Sequence, residues 1–240
     1  MNIFPRRSVR NTSLAMLALC STMLCGSMAL SVSPLDAISA QDRTAALRTA
    51  LTQGAQNAIG KLGAADGFLG NPEVKILLPG KLQKADKLLR MLGQSQKTDA
   101  LVTAMNRAAE AAVPEARALL TDSIRQMSIT DAVGILTGGQ DAATQYFKRT
   151  TSAKLTERFL PIVRKNTAKV GLAKKYNELG SQLAQYQLIE AKDASLESYV
   201  TQKALDGLFL TMAKEETAIR SDPLGQSSKL LKKVFGALAP

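Results

Sequence analysis

Apolar residues recur at steps of three and four along most of the chain, the spacing of one face of an α-helix. Asp42 to Leu62 predicts a first helix, with Leu47, Leu51, Ala55, Ala58 and Ile59 on one face and Gly63 as its stop. The rhythm then fails. Gly63 to Gly80, "GAADGFLGNPEVKILLPG", is rich in glycine and proline around a short apolar run, Val74 to Leu78. That run suits either a lone strand or an extended loop laid over helices, and no second strand is in evidence to pair with it.

Helical spacing returns at Lys81 to Gly93, where Leu82, Ala85, Leu88, Leu89 and Leu92 make a stripe expected to be buried. Thr98 is the expected cap of a third helix through Val113, with Leu101, Val102, Met105, Ala108, Ala109 and Ala112 facing inward. Pro114 suits the first turn of a fourth, running to about Met127. Ser128 or Thr130 starts a short fifth that ends at Leu136, and Gly138 and Gly139 stop it. A sixth runs from about Asp141 toward Gly171 and is expected to break or bend at Pro161. A seventh spans Leu172 to about Gln187. An eighth, capped by Asp193 or Ser195, reaches about Ile219, and Ser221-Asp222-Pro223 ends it. A last amphipathic helix covers Ser228 to Leu238. About nine helices at short spacings, with no strand alternation, predict an all-α fold: a single compact multi-helix domain over residues 42–240, carrying one long Gly/Pro-rich loop.

The first residues change this picture by adding a segment outside the fold. Arg6, Arg7 and Arg10 precede an uncharged, mostly apolar run from Leu14 to Leu30, and Ser27-Met28-Ala29 places small residues where a signal peptidase reads. Residues 1–29 therefore read as a cleaved signal peptide, residues 30–41 as a short tail, and the mature chain as periplasmic. Lipid anchoring at Cys20 or Cys25 is disfavoured, because Leu19 and Leu24 stand where a lipoprotein signal wants a small residue. The run is too short and too diluted by Ser, Thr and Gly for a spanning helix, which needs ~20 apolar residues.

Composition then removes whole classes of chemistry. Both cysteines lie within the signal, and the chain has no histidine and no tryptophan. Cysteine nucleophiles, Ser-His-Asp triads, the usual zinc ligand sets and a histidine proton switch are closed to the mature chain. No cofactor is expected. Of 31 basic residues 28 follow the signal, against 20 acidic ones, a net charge of +8. Such a charge on an exported protein suits an anionic envelope component or an acidic protein, or does no more than keep the chain soluble. Sparse aromatics and export argue against nucleic acid.

Three stretches, "DGFLGNPEVKILLPGKLQKADKLLRMLG", "ILTGGQDAATQYFKRTTSAKLTERFLPIV" and "SLESYVTQKALDGLFLTMAKEE", occur in this order. Together they resemble an uncharacterised family of exported bacterial proteins, the domain of unknown function 4197 family, from about Gln41 to Leu238. The resemblance implies an exported, mostly helical domain of Gram-negative bacteria with no assigned activity. Some relatives look like lipoproteins, a pattern this chain's cysteine contexts depart from. The family supplies no catalytic residues to carry over.

Candidate sites come from the residues themselves. Gly138-Gly139-Gln140-Asp141 precedes a helix, whose first N–H groups and dipole favour an anion, with Lys148 and Arg149 about two turns on. Asp141 also fits as an ordinary N-cap. Behind it Ala143, Phe147, Thr151, Leu155, Phe159 and Ile162 or Val163 form a core stripe, and the hydroxyl of Tyr146 needs water or a partner. Tyr199 and Lys203, four apart, share a helix face near Glu197 and Asp206; such a pair binds or moves a proton, or merely dresses the helix. Gly207 in the same helix suits a close helix crossing. The C-terminal helix carries Leu230, Leu231, Val234, Phe235 and Leu238 on one side and Lys229, Lys232 and Lys233 on its rim, so it docks on the core or touches an anionic membrane. The leading expectation is a non-catalytic periplasmic protein that binds an envelope partner or an anionic envelope component. The alternatives are a carrier of an apolar ligand between helices, and a carboxylate- or Tyr/Lys-based hydrolase of envelope material.

Overall fold

The computed structural model describes residues 38–93, 95–185 and 195–222, together with Lys232, Val234 and Gly236. Every regular element among them is helical: α1 (Ala40–Gly63), α2 (Gly80–Met91), α3 (Gln96–Ala112), a 3-10 turn (Val113–Glu115), α4 (Ala116–Gln126), α5 (Ile129–Leu136), α6 (Ala142–Thr167), α7 (Gly171–Gln185) and α8 (Leu196–Ser221). The expected signal, the Asp193 cap and most of the expected C-terminal helix lie outside the described residues. Within that last segment Val234 is fully buried and Lys232 exposed, as docking on the core requires.

Two 26-residue helices, α6 and α8, organise the packing. α6 lies against α3 and α8, and α1 lies against α8 and α4. Glu216 near the end of α8 bonds the first turn of α6, while Glu197 at the start of α8 meets Thr167 at the end of α6. The two helices are therefore antiparallel. The stripe read from α6 is its buried face: Ala143, Phe147, Thr151, Leu155, Phe159 and Val163 are all buried, with Ile162 only partly so. Burying each phenylalanine contributes about 1.5–3 kcal/mol. The helix continues through Pro161 rather than breaking there. The cost is contained because Glu157, whose carbonyl lacks the Pro161 N–H, faces water.

Several boundaries move. Ser95, not Thr98, stands at the α3 cap position, and Thr98 turns its hydroxyl back to the Ser95 carbonyl. Pro114 sits in the 3-10 turn rather than in α4. Leu92 is 63% exposed, because α2 has already ended at Met91; Leu82, Ala85, Leu88 and Leu89 of the same expected stripe lie outside the described side chains.

The Ala64–Pro79 loop closes short turns of its own, such as Gly70 N–H to Asp66 and Lys75 N–H to Asn71, and α3 supplies partners for other backbone groups. Asn106 accepts from the Ile76 N–H at 2.8 Å and donates to the Ile76 carbonyl at 2.9 Å, so one side-chain amide pairs with the loop as a neighbouring strand would. Glu110, one turn on, accepts from the N–H groups of Phe68 and Leu69. Its other oxygen receives Arg107, which also bonds Asp66. Asp66 holds φ at 65°, a left-handed position that aspartate tolerates better than most side chains. The loop's apolar side chains Phe68, Val74, Ile76 and Leu78 are buried, while Lys75 and Leu77 face outward.

Gly207 owes its place to this loop rather than to a helix crossing. A Cβ there would stand 2.7 Å from the Phe68 ring and 3.3 Å from Val74. The fully buried ring has nowhere to move. Gly60 of α1 offers the contrast, with open space where its Cβ would be. Gly207→Ala should lower stability by about 1 kcal/mol, the overpacking cost exceeding the helix-propensity gain. Gly60→Ala should raise it by roughly 0.5–1 kcal/mol. Thermal melts of both variants check the opposite signs; a stabilised Gly207→Ala would mean that the loop does not sit against α8.

Candidate functional site

The glycine pair before α6 resolves into two roles. A Cβ on Gly138 would lie 2.6 Å from the Gly134 carbonyl and 2.7 Å from the Ala142 Cβ, so the α5–α6 turn needs glycine there. A Cβ on Gly139 would meet only the Asp141 carboxylate, at 3.9 Å, an ordinary contact. Asp141 occupies the N-cap position, but its side chain makes no capping bond and instead accepts from Gln145. The first-turn donors go to a residue the sequence did not point to. The buried Glu216 carboxylate accepts from the Ala143 N–H at 2.9 Å, the Thr144 N–H at 2.9 Å and the Thr144 hydroxyl. Arg220 pairs with it and donates to the Ile135 carbonyl at the end of α5. The start of α6 thus already holds an anion, the protein's own, and the expected small-anion site has lost these donors.

Tyr146 is buried, and its hydroxyl donates to the Ser123 carbonyl of α4 at 3.2 Å. Arg149 lies over the Tyr146 ring at 5.7 Å, and Lys148 is exposed. Tyr199 and Lys203 stand elsewhere, on α8, so the structure does not gather Tyr146, Arg149, Tyr199 and Lys203 into one pocket.

Around Tyr199 and Lys203 the surface is concave on both sides. Toward the loop, a groove of about 350 Å³ is lined by Leu77, Gln83, Tyr199, Lys203, Asp206 and Leu210 among others. Toward α6, a more enclosed pocket of about 460 Å³ is lined by Thr156 and Leu160 of α6 and by Ser198, Tyr199, Thr201, Gln202 and Lys203 of α8. Among the described residues no carboxylate lines this second pocket. Thr201 is 1% exposed, and its hydroxyl has no hydrogen-bond partner. The Lys203 ammonium sits 6.0 Å from the Tyr199 ring and 3.6 Å from Asp206, both contacts open to water. The Tyr199 hydroxyl donates to the Leu77 carbonyl at 3.0 Å, and burial, with the nearby Tyr176, holds its pKa above the ordinary tyrosine value.

Of the carboxylates a hydrolase would need, Asp206 and Glu73 line the loop-side groove with Tyr199 and Lys203, while Glu197 and Glu157 line neither hollow. Glu197 is buried against both amide hydrogens of Asn177, whose oxygen accepts from the Leu196 N–H and secures the start of α8. Glu157 is exposed. Where α1, α6 and α8 meet beside Gly54, the enclosed space is about 20 Å³, room for a water but not for an acyl chain. Between α1 and α4 runs an open groove of about 670 Å³ with Arg48 and Arg125 on its walls; Arg48 donates there to the Met127 carbonyl at the end of α4. Among the described residues no three metal-ligating side chains converge, and no helix is long and apolar enough to cross a membrane.

A family model described as "Protein of unknown function (DUF4197)" matches residues 37–236, and the chain belongs to that family. No curated protein and no solved structure matches it.

Glu216→Gln puts amide hydrogens against N–H donors and leaves Arg220 unpaired, so it should cost about 3 kcal/mol in urea denaturation; a loss under ~0.5 kcal/mol would show that the contact is not formed. Tyr199 favours its neutral phenol in the fold. Its contribution to stability is complete below the unfolded value of about 10 and disappears as pH rises through the higher folded value. Alkaline titration followed by tyrosinate absorbance should lose one transition above pH ~10 in Tyr199→Phe.

Proposed function

We propose that this chain is an exported, non-catalytic helical binding protein of the cell envelope, and that its ligand is an anionic envelope component with an apolar body, held between α6 and α8. One observation carries the reading: the Thr201 hydroxyl is buried and unpartnered on the wall of the α6–α8 pocket. An unsatisfied buried hydroxyl costs about 1–3 kcal/mol, so folding alone would favour valine at this position. The hydroxyl is closed to water in the free protein, so a ligand reaches it only by parting the pocket wall, and by accepting from it supplies the missing bond. Leu160 gives apolar wall, Lys203 a cation at the mouth, and no carboxylate among the described lining residues repels an anion. The net positive charge acts in the same direction by raising the local concentration of anions. Export rests on the N-terminal pattern. The lack of catalysis rests on the buried glutamates being engaged with backbone and amide donors.

Decanoate and decyl phosphate, which join an anionic head to an apolar chain, are suitable probes in isothermal titration. Thr201→Val should raise the melting temperature of the free protein and weaken probe binding roughly tenfold, the value of one hydrogen bond to a charged or polar partner. Lys203→Ala should weaken binding of both probes without changing stability. If neither probe binds, and native mass spectrometry finds no small molecule retained by protein purified from the periplasm, the reading fails.

A further inference from the structure

The turn from α6 to α7 carries a concentration of charge that the fold does not account for. Arg164 and Lys165 lie in the last turn of α6, Lys169 in the connection, and Lys174 and Lys175 at the start of α7. All five are exposed. The connection is tight: the Val170 N–H bonds the Thr167 carbonyl and the Ala173 N–H bonds the Val170 carbonyl, so the five cations are held at one corner. No acidic residue occurs from Phe159 to Asn177, and none of the five forms an ion pair with a described residue.

Half of this charge has an ordinary explanation. Arg164 and Lys165 complement the negative end of the α6 dipole. Lys174 and Lys175 do the reverse, because they sit at the positive end of α7, which has no acid in its first turn. Repulsion among five cations and against a helix start is a cost that an external anionic surface would offset. Val170 and Leu172, half-buried apolar residues between Lys169 and Lys174, stand where they could dip into the interface of such a surface. The corner lacks a platform for stacked bases, with Tyr176 its one aromatic ring and that ring half-buried.

We infer that the α6–α7 corner, Arg164 to Lys175, is a docking face for an anionic phospholipid surface. The binding is electrostatic, with the lysines among the headgroups and Val170 and Leu172 at the boundary of the acyl region. It places the contact on this corner rather than on the C-terminal helix, and it stands whether or not the α6–α8 pocket holds a ligand.

The test is co-sedimentation of the purified protein with vesicles of phosphatidylglycerol and phosphatidylcholine, against phosphatidylcholine alone. Binding should require the anionic lipid and fade as salt is raised toward ~1 M, where charge is screened within about 3 Å. Each lysine near an anionic leaflet is worth roughly fivefold in affinity. The variant Lys165→Ala, Lys169→Ala, Lys174→Ala and Lys175→Ala should therefore lose on the order of several hundredfold, with its melting temperature kept, since these exposed side chains form no hydrogen bond or ion pair with a described residue. A control with equal net charge, Arg117→Ala, Arg125→Ala, Lys148→Ala and Lys154→Ala, should bind as the parent does. An equal loss in the control would overturn the proposal, because net charge and not this corner would be responsible. Equal binding to phosphatidylcholine alone would overturn it, as would duplex DNA binding as tightly as the vesicles with the same dependence on the four lysines.

Discussion

A carboxylate withdrawn from water has to be surrounded by donors, and in this chain that requirement fixes where helices begin and how the loop lies. Glu216 is the clearest instance. It is 8% exposed, and its two oxygens receive the Ala143 and Thr144 N–H groups, the Thr144 hydroxyl and the Arg220 guanidinium. Four donors around one carboxylate set the end of α8 against the start of α6, and Arg220 carries the tie on to α5. Glu110 does the same for the N–H groups of Phe68 and Leu69, and Glu197 joins α8 to Asn177 of α7. Each glutamate is expensive to bury alone and tolerable only with its set of partners. These contacts therefore select one arrangement among the many that apolar stripes would permit.

That arrangement has consequences for the surface. With α6 and α8 antiparallel and pinned at both ends, their seam opens near the start of α8 into the pocket where Thr201 lies without a partner. With the loop bound to α3 on one side and pressed on Gly207 from the other, the outer face of α8 becomes a second groove, and Tyr199 stands between the two. The acids that might have balanced the positive charge are partly inside the fold. Glu110, Glu197 and Glu216 are buried while the lysines of the α6–α7 corner remain in water.

Much of the fold was legible in the sequence, because helical period is a local property. The α6 stripe from Ala143 to Val163 could be read residue by residue, and α1 ends at Gly63, where the period fails. The candidate site was legible only in part. Tyr199 and Lys203 do border concave surface. Gly138, Gly139, Gln140 and Asp141 pointed to the start of α6, where the next two N–H groups meet a remote carboxylate, and Tyr146 suggested an unmet hydroxyl: Glu216 lies 73 positions from Ala143, and Ser123 lies 23 from Tyr146. Thr201 looked like any threonine in a helix, and only the absence of an acceptor around it, a property of its neighbours, singled it out.

The sequence by itself determined what this protein is made of: helices with these inward faces, a basic surface, membership of its family, and a chain without histidine or, beyond the N-terminal segment, cysteine. Those follow from residue identity and local spacing, which survive any packing. The tertiary structure decided which polar groups are satisfied and which are left over. A carboxylate at the end of one helix becomes the cap of another only when the two are brought antiparallel, and a hydroxyl becomes an opening for a ligand only when packing removes its water and supplies no acceptor.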